Sequence, residues 1–92
     1  MTMYNLEISD IAKKHIAEFK KSDIQSFNKI IKLLNELVEH PKTGTGKPEL
    51  LTSNLNNYWS RRINKKDRLI YRINDEMIII YILSAKGHYF DK

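Results

Sequence analysis

The stretch NNYWSRRINKKDRLIYRI, residues 56–73, decides the fold. Tyr58–Ile63 and Arg68–Ile73 have the aromatic and β-branched composition of strands, and Asn64–Asp67 between them has the polar composition of a turn. The second strand alternates, which places Arg68, Ile70 and Arg72 on one face and Leu69, Tyr71 and Ile73 on the other. The stretch therefore predicts an antiparallel hairpin with one charged face.

The charge of this hairpin allows two interpretations. It contains all four arginines of the chain, its one tryptophan and two of its five tyrosines. Arginine forks grip phosphates and aromatic planes stack on bases, so this pattern fits a surface that handles RNA. The same residue types also make an ordinary amphipathic hairpin with a solvated face, and the stretch alone leaves both interpretations open.

Towards the C-terminus the pattern continues with a third strand. Asn74–Glu76 predicts a turn, and Met77–Leu83 predicts a strand that completes an antiparallel meander. Residues 78–82 are apolar without alternation, which is typical of a central strand covered on both faces.

Towards the N-terminus the pattern changes from sheet to helix. Tyr4–Ile8 alternates as a short strand, and Ser9-Asp10 supplies an N-cap for a helix over residues 10–21. His15 lies beside the apolar stripe of this helix, where we expect helix surface or the edge of the core.

A second helix follows with almost no linker. Ser22 with Gln25 has the spacing of a capping box, and apolar residues keep helical spacing through about residues 23–40. The short link predicts a helical hairpin, and Pro41 stops the second helix. A long connection over 41–57 comes next, in which residues 49–55 are expected to pack as a short turn or helix.

Length and composition fit one domain of the α+β class spanning residues 1–92, with an N-terminal strand, a two-helix hairpin and a β-meander. The 16 Lys and Arg outweigh 11 Asp and Glu, which gives a net charge of +5 and favours an anionic partner such as nucleic acid. No cysteine is present, and no apolar run approaches the roughly 18 residues of a membrane span. These features predict a cytoplasmic protein without membrane association.

The common site motifs are absent from the sequence. Its three histidines are scattered without metal-ligand spacing, and it has no phosphate-binding glycine loop and no nucleophile elbow. We therefore expect no metal and no cofactor. What remains is acid–base chemistry on RNA, whose own 2′-OH can be the nucleophile if a base, an acid and a cation surround the phosphate.

Several motifs together resemble one family. GKPE at 46–49, YWSRRI at 58–63, RLIY at 68–71 and the pair His88-Tyr89 follow the order found in YoeB/Txe toxins. These toxins belong to the RelE-like superfamily of bacterial type II toxin–antitoxin systems, which has the RelE-like microbial RNase fold. In this chain Phe90, Asp91 and Lys92 follow the His-Tyr pair.

The resemblance implies a ribosome-dependent endoribonuclease, an mRNA interferase that cuts mRNA in the ribosomal A site without a metal and so inhibits translation. By position it makes Glu49 the general base and His88 the general acid. It makes Arg68 the phosphate-stabilising cation and Arg62 a second contact to the scissile region, and it makes Tyr89 a residue that positions or stacks on a nucleotide base. Candidate contacts to RNA or the ribosome are Arg61, Lys47, Lys65, Lys66 and Trp59.

The resemblance also implies partners. These are the ribosome with its mRNA, and a small acidic antitoxin of the YefM/Axe type whose disordered segment folds on binding. Within the family a homodimer is plausible. Two alternatives stay open from the sequence: a non-catalytic toxin of the same fold, and a small basic nucleic-acid-binding module.

Overall fold

Strand β1, helices α1 and α2, and four further strands follow one another along the chain. Their bounds are Asn5–Ile8 (β1), Asp10–Ser22 (α1), Ile24–Leu37 (α2), Glu49–Leu50 (β2), Tyr58–Arg62 (β3), Arg68–Asn74 (β4) and Ile79–Ser84 (β5). The computed structural model describes residues 3–51 and 57–87. Neither helix in these ranges is both long and apolar enough to cross a bilayer.

The five strands form one mixed sheet in the order β1-β5-β4-β3-β2. β3, β4 and β5 pair antiparallel, as predicted for the meander, and β2, which was not predicted, adds antiparallel to β3. β1 pairs parallel with β5. A parallel neighbour requires a crossover connection, and the two helices carry the chain across. The predicted α+β fold is confirmed.

The core lies between the helices and one face of the sheet. Alternation along the strands sends Leu69, Tyr71, Ile80 and Ile82 into this layer, where they meet apolar residues of both helices such as Leu33. At 25 cal/mol per Å², each such side chain contributes about 1.5–3 kcal/mol when fully buried. The opposite sheet face has no helix over it in the described residues, and we call it the open face.

The link between the helices differs from the predicted capping box. Ser9 caps α1 as expected, because its Oγ accepts the Ala12 N–H at 3.0 Å. For α2 the cap is Asp23, whose carboxylate accepts both the N–H and the hydroxyl of Ser26. These bonds lower the pKa of Asp23. Ser22 instead belongs to α1 and donates to the Glu18 carbonyl, so the predicted cap is wrong by one residue.

Strand β5 starts later and is less covered than predicted. Asn74 Oδ1 accepts the Met77 N–H at 3.0 Å, and Ile78 has a φ of 57°, so the turn runs to residue 78. Between β1 and β4, burial along β5 alternates: Ile80 and Ile82 are buried while Tyr81 is only partly so. The prediction of coverage on both faces is therefore wrong.

A buried arginine joins the sheet to the end of the helical layer. The Arg61 side chain is 0% exposed, and each N–H of its guanidinium has an acceptor. Nε donates to the Tyr71 hydroxyl at 3.1 Å, and Nη1 donates to Glu36 at 3.1 Å. The remaining donors reach the backbone carbonyls of residues 40, 43 and 45. Because an arginine has five N–H donors, this set leaves none unpaired.

The partner carboxylate of Arg61 is also saturated. Glu36 accepts the backbone N–H of Thr45 at 2.8 Å and the Thr45 hydroxyl at 2.7 Å. These hydrogen bonds, with a further contribution from Arg61, lower the pKa of Glu36. The Tyr71 hydroxyl donates to the Pro41 carbonyl at 2.9 Å. The segment after α2 is thereby fastened to the core.

Replacing Arg61 with Met should lower the free energy of unfolding by about 3–5 kcal/mol, because Glu36 and three loop carbonyls lose their buried donor. Urea denaturation measures this loss. The neighbouring Arg62 is exposed, so Arg62→Met is the matched control and should change stability by less than about 0.5 kcal/mol. Equal losses in the two variants would contradict this assignment.

His15 should make stability depend on pH. Its Nδ1 accepts the Ala85 N–H at 3.1 Å, and burial lowers the pKa of His15. The unfolded chain then binds the proton more readily, so stability falls as pH drops below the unfolded pKa of about 6.5. Urea midpoints between pH 7.5 and 5 should fall less steeply for His15→Asn, which keeps an acceptor but cannot titrate. Equal slopes would show that His15 does not carry the effect.

Candidate active site

The connection after α2 is bent against strand β3 by a glycine. Gly46 has a φ of +86°, which disfavours other residues, and its carbonyl accepts the Arg62 N–H at 2.7 Å. A Cβ at this position would lie 3.0 Å from the Arg62 carbonyl oxygen. Gly46 thus brings the backbone of the connection close to β3, and Pro48 restricts the chain that follows. Glu49 comes directly after this proline.

Glu49 begins a strand that the sequence did not predict. Glu49 pairs with Ser60 and Leu50 pairs with Trp59, so the expected turn or helix is an edge strand in its described part. Residues 52–55 of that prediction lie outside the described residues. Since register partners share a sheet face, Glu49 lies on the same face as Ser60.

Three of the predicted catalytic residues meet on the open face. Arg62 is the register partner of Arg68, and both side chains lie on the same face of the sheet as Ser60. The Arg68 Nη1 lies 4.0 Å from Glu49 Oε1. The side chain of Glu49 is 68% exposed and that of Arg68 is 24% exposed, so an ion pair in water adds little stability. Such a pair remains accessible to a ligand.

This arrangement sets a proton acceptor beside fixed positive charge. A carboxylate can take a proton from a hydroxyl, and guanidinium groups can hold the charge that builds on a phosphate. In the described residues no group of three or more His, Cys, Asp or Glu has the geometry of a metal site. The chemistry offered by Glu49, Arg62 and Arg68 is acid–base and electrostatic.

Two serines lie under the same face. Ser60 and Ser84 are the register partners of Ile70 on either side, and all three are buried. Within residues 3–51 and 57–87, neither serine Oγ has a hydrogen-bond partner. An unsatisfied buried hydroxyl costs free energy, so these two serines do not stabilise the sheet through their hydroxyl groups.

Two predicted RNA contacts lie on the other side of the sheet. Arg61 does not fit its predicted role, because its guanidinium is fully buried and hydrogen-bonded inside the protein. Trp59 is partly buried and packs against the core, as the register partner of Tyr71. Alternation along β3 explains both positions, since residues 59 and 61 point away from residues 60 and 62.

The remaining predicted residues divide into two groups. Lys47, Lys65 and Lys66 are exposed, the first in the bent connection and the other two in the turn between β3 and β4. His88 and Tyr89 lie outside the described residues.

The chain leading to His88 is held at three points. Besides the bond from Ala85 to His15, the Lys86 Nζ lies 2.7 Å from Glu18 Oε1 and the Gly87 N–H donates to Asp67 Oδ1 at 2.9 Å. Hydrogen bonding to Lys86 lowers the pKa of Glu18. Asp67 directly precedes Arg68, so this hydrogen bond holds the backbone of Gly87 beside the start of β4.

A second part of the open face was missed by the sequence reasoning. Tyr58, Arg72, Tyr81 and Glu7 are consecutive register partners across four strands. The alternation of β4 placed Arg72 on this face, but nothing in the sequence showed that β1 would pair with β5 and bring Glu7 there.

A family model described as YoeB-like toxin of bacterial type II toxin–antitoxin system matches residues 10–89. A toxin YoeB from Synechocystis sp. is 41% identical over 71 residues, which cover 77% of this chain and 80% of that protein.

Solved structures agree with the sequence matches. The YoeB dimer from Staphylococcus aureus has a TM-score of 0.83 and 38% identity over 96% of this chain and 100% of that chain. YoeB in the heterotetrameric YoeB–YefM complex from the same organism has a TM-score of 0.80 and 39% identity over 94% and 98%. With its fold, its motifs and the family model in agreement, this chain belongs to the YoeB-like toxins of bacterial type II toxin–antitoxin systems.

Proposed function

We propose that this toxin is an endoribonuclease that cuts mRNA in the ribosomal A site and so inhibits translation. The observation that carries the proposal is the exposed Glu49 carboxylate 4.0 Å from the Arg68 guanidinium, with Arg62 in register beside it. A base and two cations on an open surface match what cleavage by the RNA's own 2′-OH requires.

In the proposed reaction Glu49 accepts the proton of the 2′-OH as that oxygen attacks the adjacent phosphorus. Arg68 and Arg62 hold the negative charge that develops on the phosphoryl oxygens. The bond from phosphorus to the 5′-oxygen breaks, and His88 supplies the proton that this oxygen takes. The products are a 2′,3′-cyclic phosphate and a 5′-hydroxyl, so atoms and protons balance without an added reactant.

The ribosome has a physical part in this proposal. Glu49 is widely exposed, and water stabilises the charged form of a carboxylate, which makes it a weak base. Docking against ribosomal RNA would exclude water and strengthen the interaction of Glu49 with the 2′-OH. Lys47, Lys65 and Lys66, all exposed, supply charge for that docking. Tyr89 is assigned to stacking on a base next to the cut.

An antitoxin is the second proposed partner. The Staphylococcus aureus relatives were solved as complexes with YefM and as a dimer. For this chain we assign a small acidic antitoxin of that type, because the open face carries exposed Arg62 and Arg72 and the protein has a net charge of +5. Self-association into a dimer is assigned by the same likeness.

Primer extension on mRNA in a purified translation system tests the reaction. Wild type should give discrete cuts only when ribosomes are present. Glu49→Gln and His88→Gln should each slow cutting by roughly 100-fold or more, through loss of the base and the acid. Arg68→Met should slow it comparably through loss of charge stabilisation.

The control for Glu49→Gln is Glu76→Gln, which neutralises an exposed carboxylate in the turn between β4 and β5. It should cut like wild type. Ribosome binding, followed by co-sedimentation, should be retained in all four variants. Absence of cuts in wild type, or cuts that persist unchanged in Glu49→Gln and Arg68→Met, would refute the assignment and leave a binding toxin of the same fold.

A further inference from the structure

A depression of about 280 Å³ lies on the open face. It is separate from the Glu49–Arg68 pair, and neither of those residues lines it. The side chains that give it chemical character are Glu7, Tyr58, Arg72 and Tyr81, one from each of four adjacent strands. Nothing in the proposed cleavage reaction uses these four residues.

Two planar groups in the lining of the depression stack on each other. The Arg72 guanidinium lies 4.8 Å from the centroid of the Tyr81 ring, which is stacking distance for a cation on an aromatic face. Arg72 itself is exposed, and in residues 3–51 and 57–87 no carboxylate forms an ion pair with it. Guanidinium and phenol planes of this kind are what unpaired bases stack on.

The charges around the depression favour a base over a phosphate. Glu7 is exposed on the far side of Tyr81 and brings a negative charge to the same lining as Arg72. A carboxylate repels phosphate, but it accepts hydrogen bonds from the amino groups on a base edge. The depression thus combines a stacking surface with a carboxylate acceptor and with guanidinium and phenol donors.

The depression also lies within reach of a nucleotide close to the cut. Arg72 and Arg68 are four residues apart on one face of β4, which corresponds to about 13 Å along the strand. Ile70 lies between them on the same face and is buried, so a single strand whose phosphate lies between Arg68 and Glu49 would pass outside this covered part of β4 before it reaches Arg72. The positive charges lie along the same two strands, since the exposed arginines of the open face are Arg62 in β3 and Arg72 in β4.

We propose that this depression binds one unpaired RNA base flanking the phosphate that is cut. The inference rests on the proposed function, and it adds a subsite that sets affinity and base preference. Arg72 and Tyr81 supply the stacking surface, Tyr58 closes the side towards β3, and Glu7 reads the base edge.

Direct binding tests the subsite independently of cleavage. The probes are two fluorescein-labelled, 2′-O-methylated hexanucleotides, one with bases at all positions and one abasic throughout. Fluorescence anisotropy compares wild type with Arg72→Gln and Tyr81→Leu. Each variant should weaken binding of the base-containing probe about tenfold, and of the abasic probe less than twofold. Urea midpoints check that both variants fold.

The matched control is Lys20→Gln. Lys20 is an exposed cation 5.8 Å from the ring of Phe27 on the helical side of the protein, so this variant removes the same charge from a similar contact away from the open face. It should bind both probes within twofold of wild type. If no probe binds wild type, or if Arg72→Gln matches Lys20→Gln, the subsite is refuted.

Two further results would overturn the assignment. Equal losses on both probes would show that Arg72 contacts the phosphate chain alone. Unchanged RNA binding together with lost antitoxin binding in Arg72→Gln would assign the depression to the antitoxin.

Cleavage in the translation system separates this inference from the proposed function. If wild type cuts, Arg72→Gln should raise KM about tenfold with little change in kcat, and Glu7→Gln should alter which base flanks the cuts. Cutting by Arg72→Gln with wild-type KM and base preference would refute the subsite and leave the nuclease intact. If wild type does not cut, the nuclease fails and the binding comparison alone decides the subsite.

Discussion

The fold depends on how one buried guanidinium is satisfied. Arg61 lies under the sheet without solvent contact, and removing a cation from water is costly unless every donor is paired. Its acceptors come from α2, from β4 and from the backbone of residues 40–45, so three parts of the chain must be in place together. A one-residue slip of β3 would bury Arg62 and expose Arg61, leaving Glu36 and those carbonyls without donors. The register of the sheet is therefore fixed by electrostatics as well as by apolar packing.

This constraint also shapes the candidate site, because the alternation that buries Arg61 exposes Arg62. The segment held by Arg61 continues through Gly46 to Glu49, which then reaches the open face opposite Ser60. On the same face β4 sets Arg68 close to Glu49 and Arg72 farther along. Arg61 thus lies on the buried face of the sheet, while Arg62, Arg68 and Arg72 lie on the open face.

Sequence patterns predicted most of the fold because its elements carry strong local signals. The meander, the helices and the sidedness of β4 follow from periodicity, and the α+β class follows from their order. Long-range pairing was not readable: nothing local to residues 5–8 indicates that β1 joins β5, and Glu49–Leu50 is too short to show strand periodicity. Ser22 and Asp23 are both good capping residues, and only the backbone of the link decides between them.

The candidate site was predictable in a similar, partial way. The family resemblance identified Glu49, Arg62 and Arg68, which the structure brings to one face. It also named Arg61, because a list of cations does not distinguish a buried arginine from an exposed one. Alternation places residues 61 and 62 on opposite faces, but which face is buried depends on acceptors from α2 and from the segment after it. The depression formed by Glu7, Tyr58, Arg72 and Tyr81 needed the complete strand order.

The parallel pairing of β1 with β5 also constrains when the protein can become complete during synthesis. Among the described strands β1 pairs only with β5, so Asn5 has no partner there until Ile79 has been made. A nascent chain can form its helical hairpin early, but it cannot close the sheet while β5 is still inside the ribosome. The open face and the depression beside Glu7 are therefore assembled only late in synthesis. A protein proposed to act on ribosomes would remain unfinished for most of the time that a ribosome is producing it.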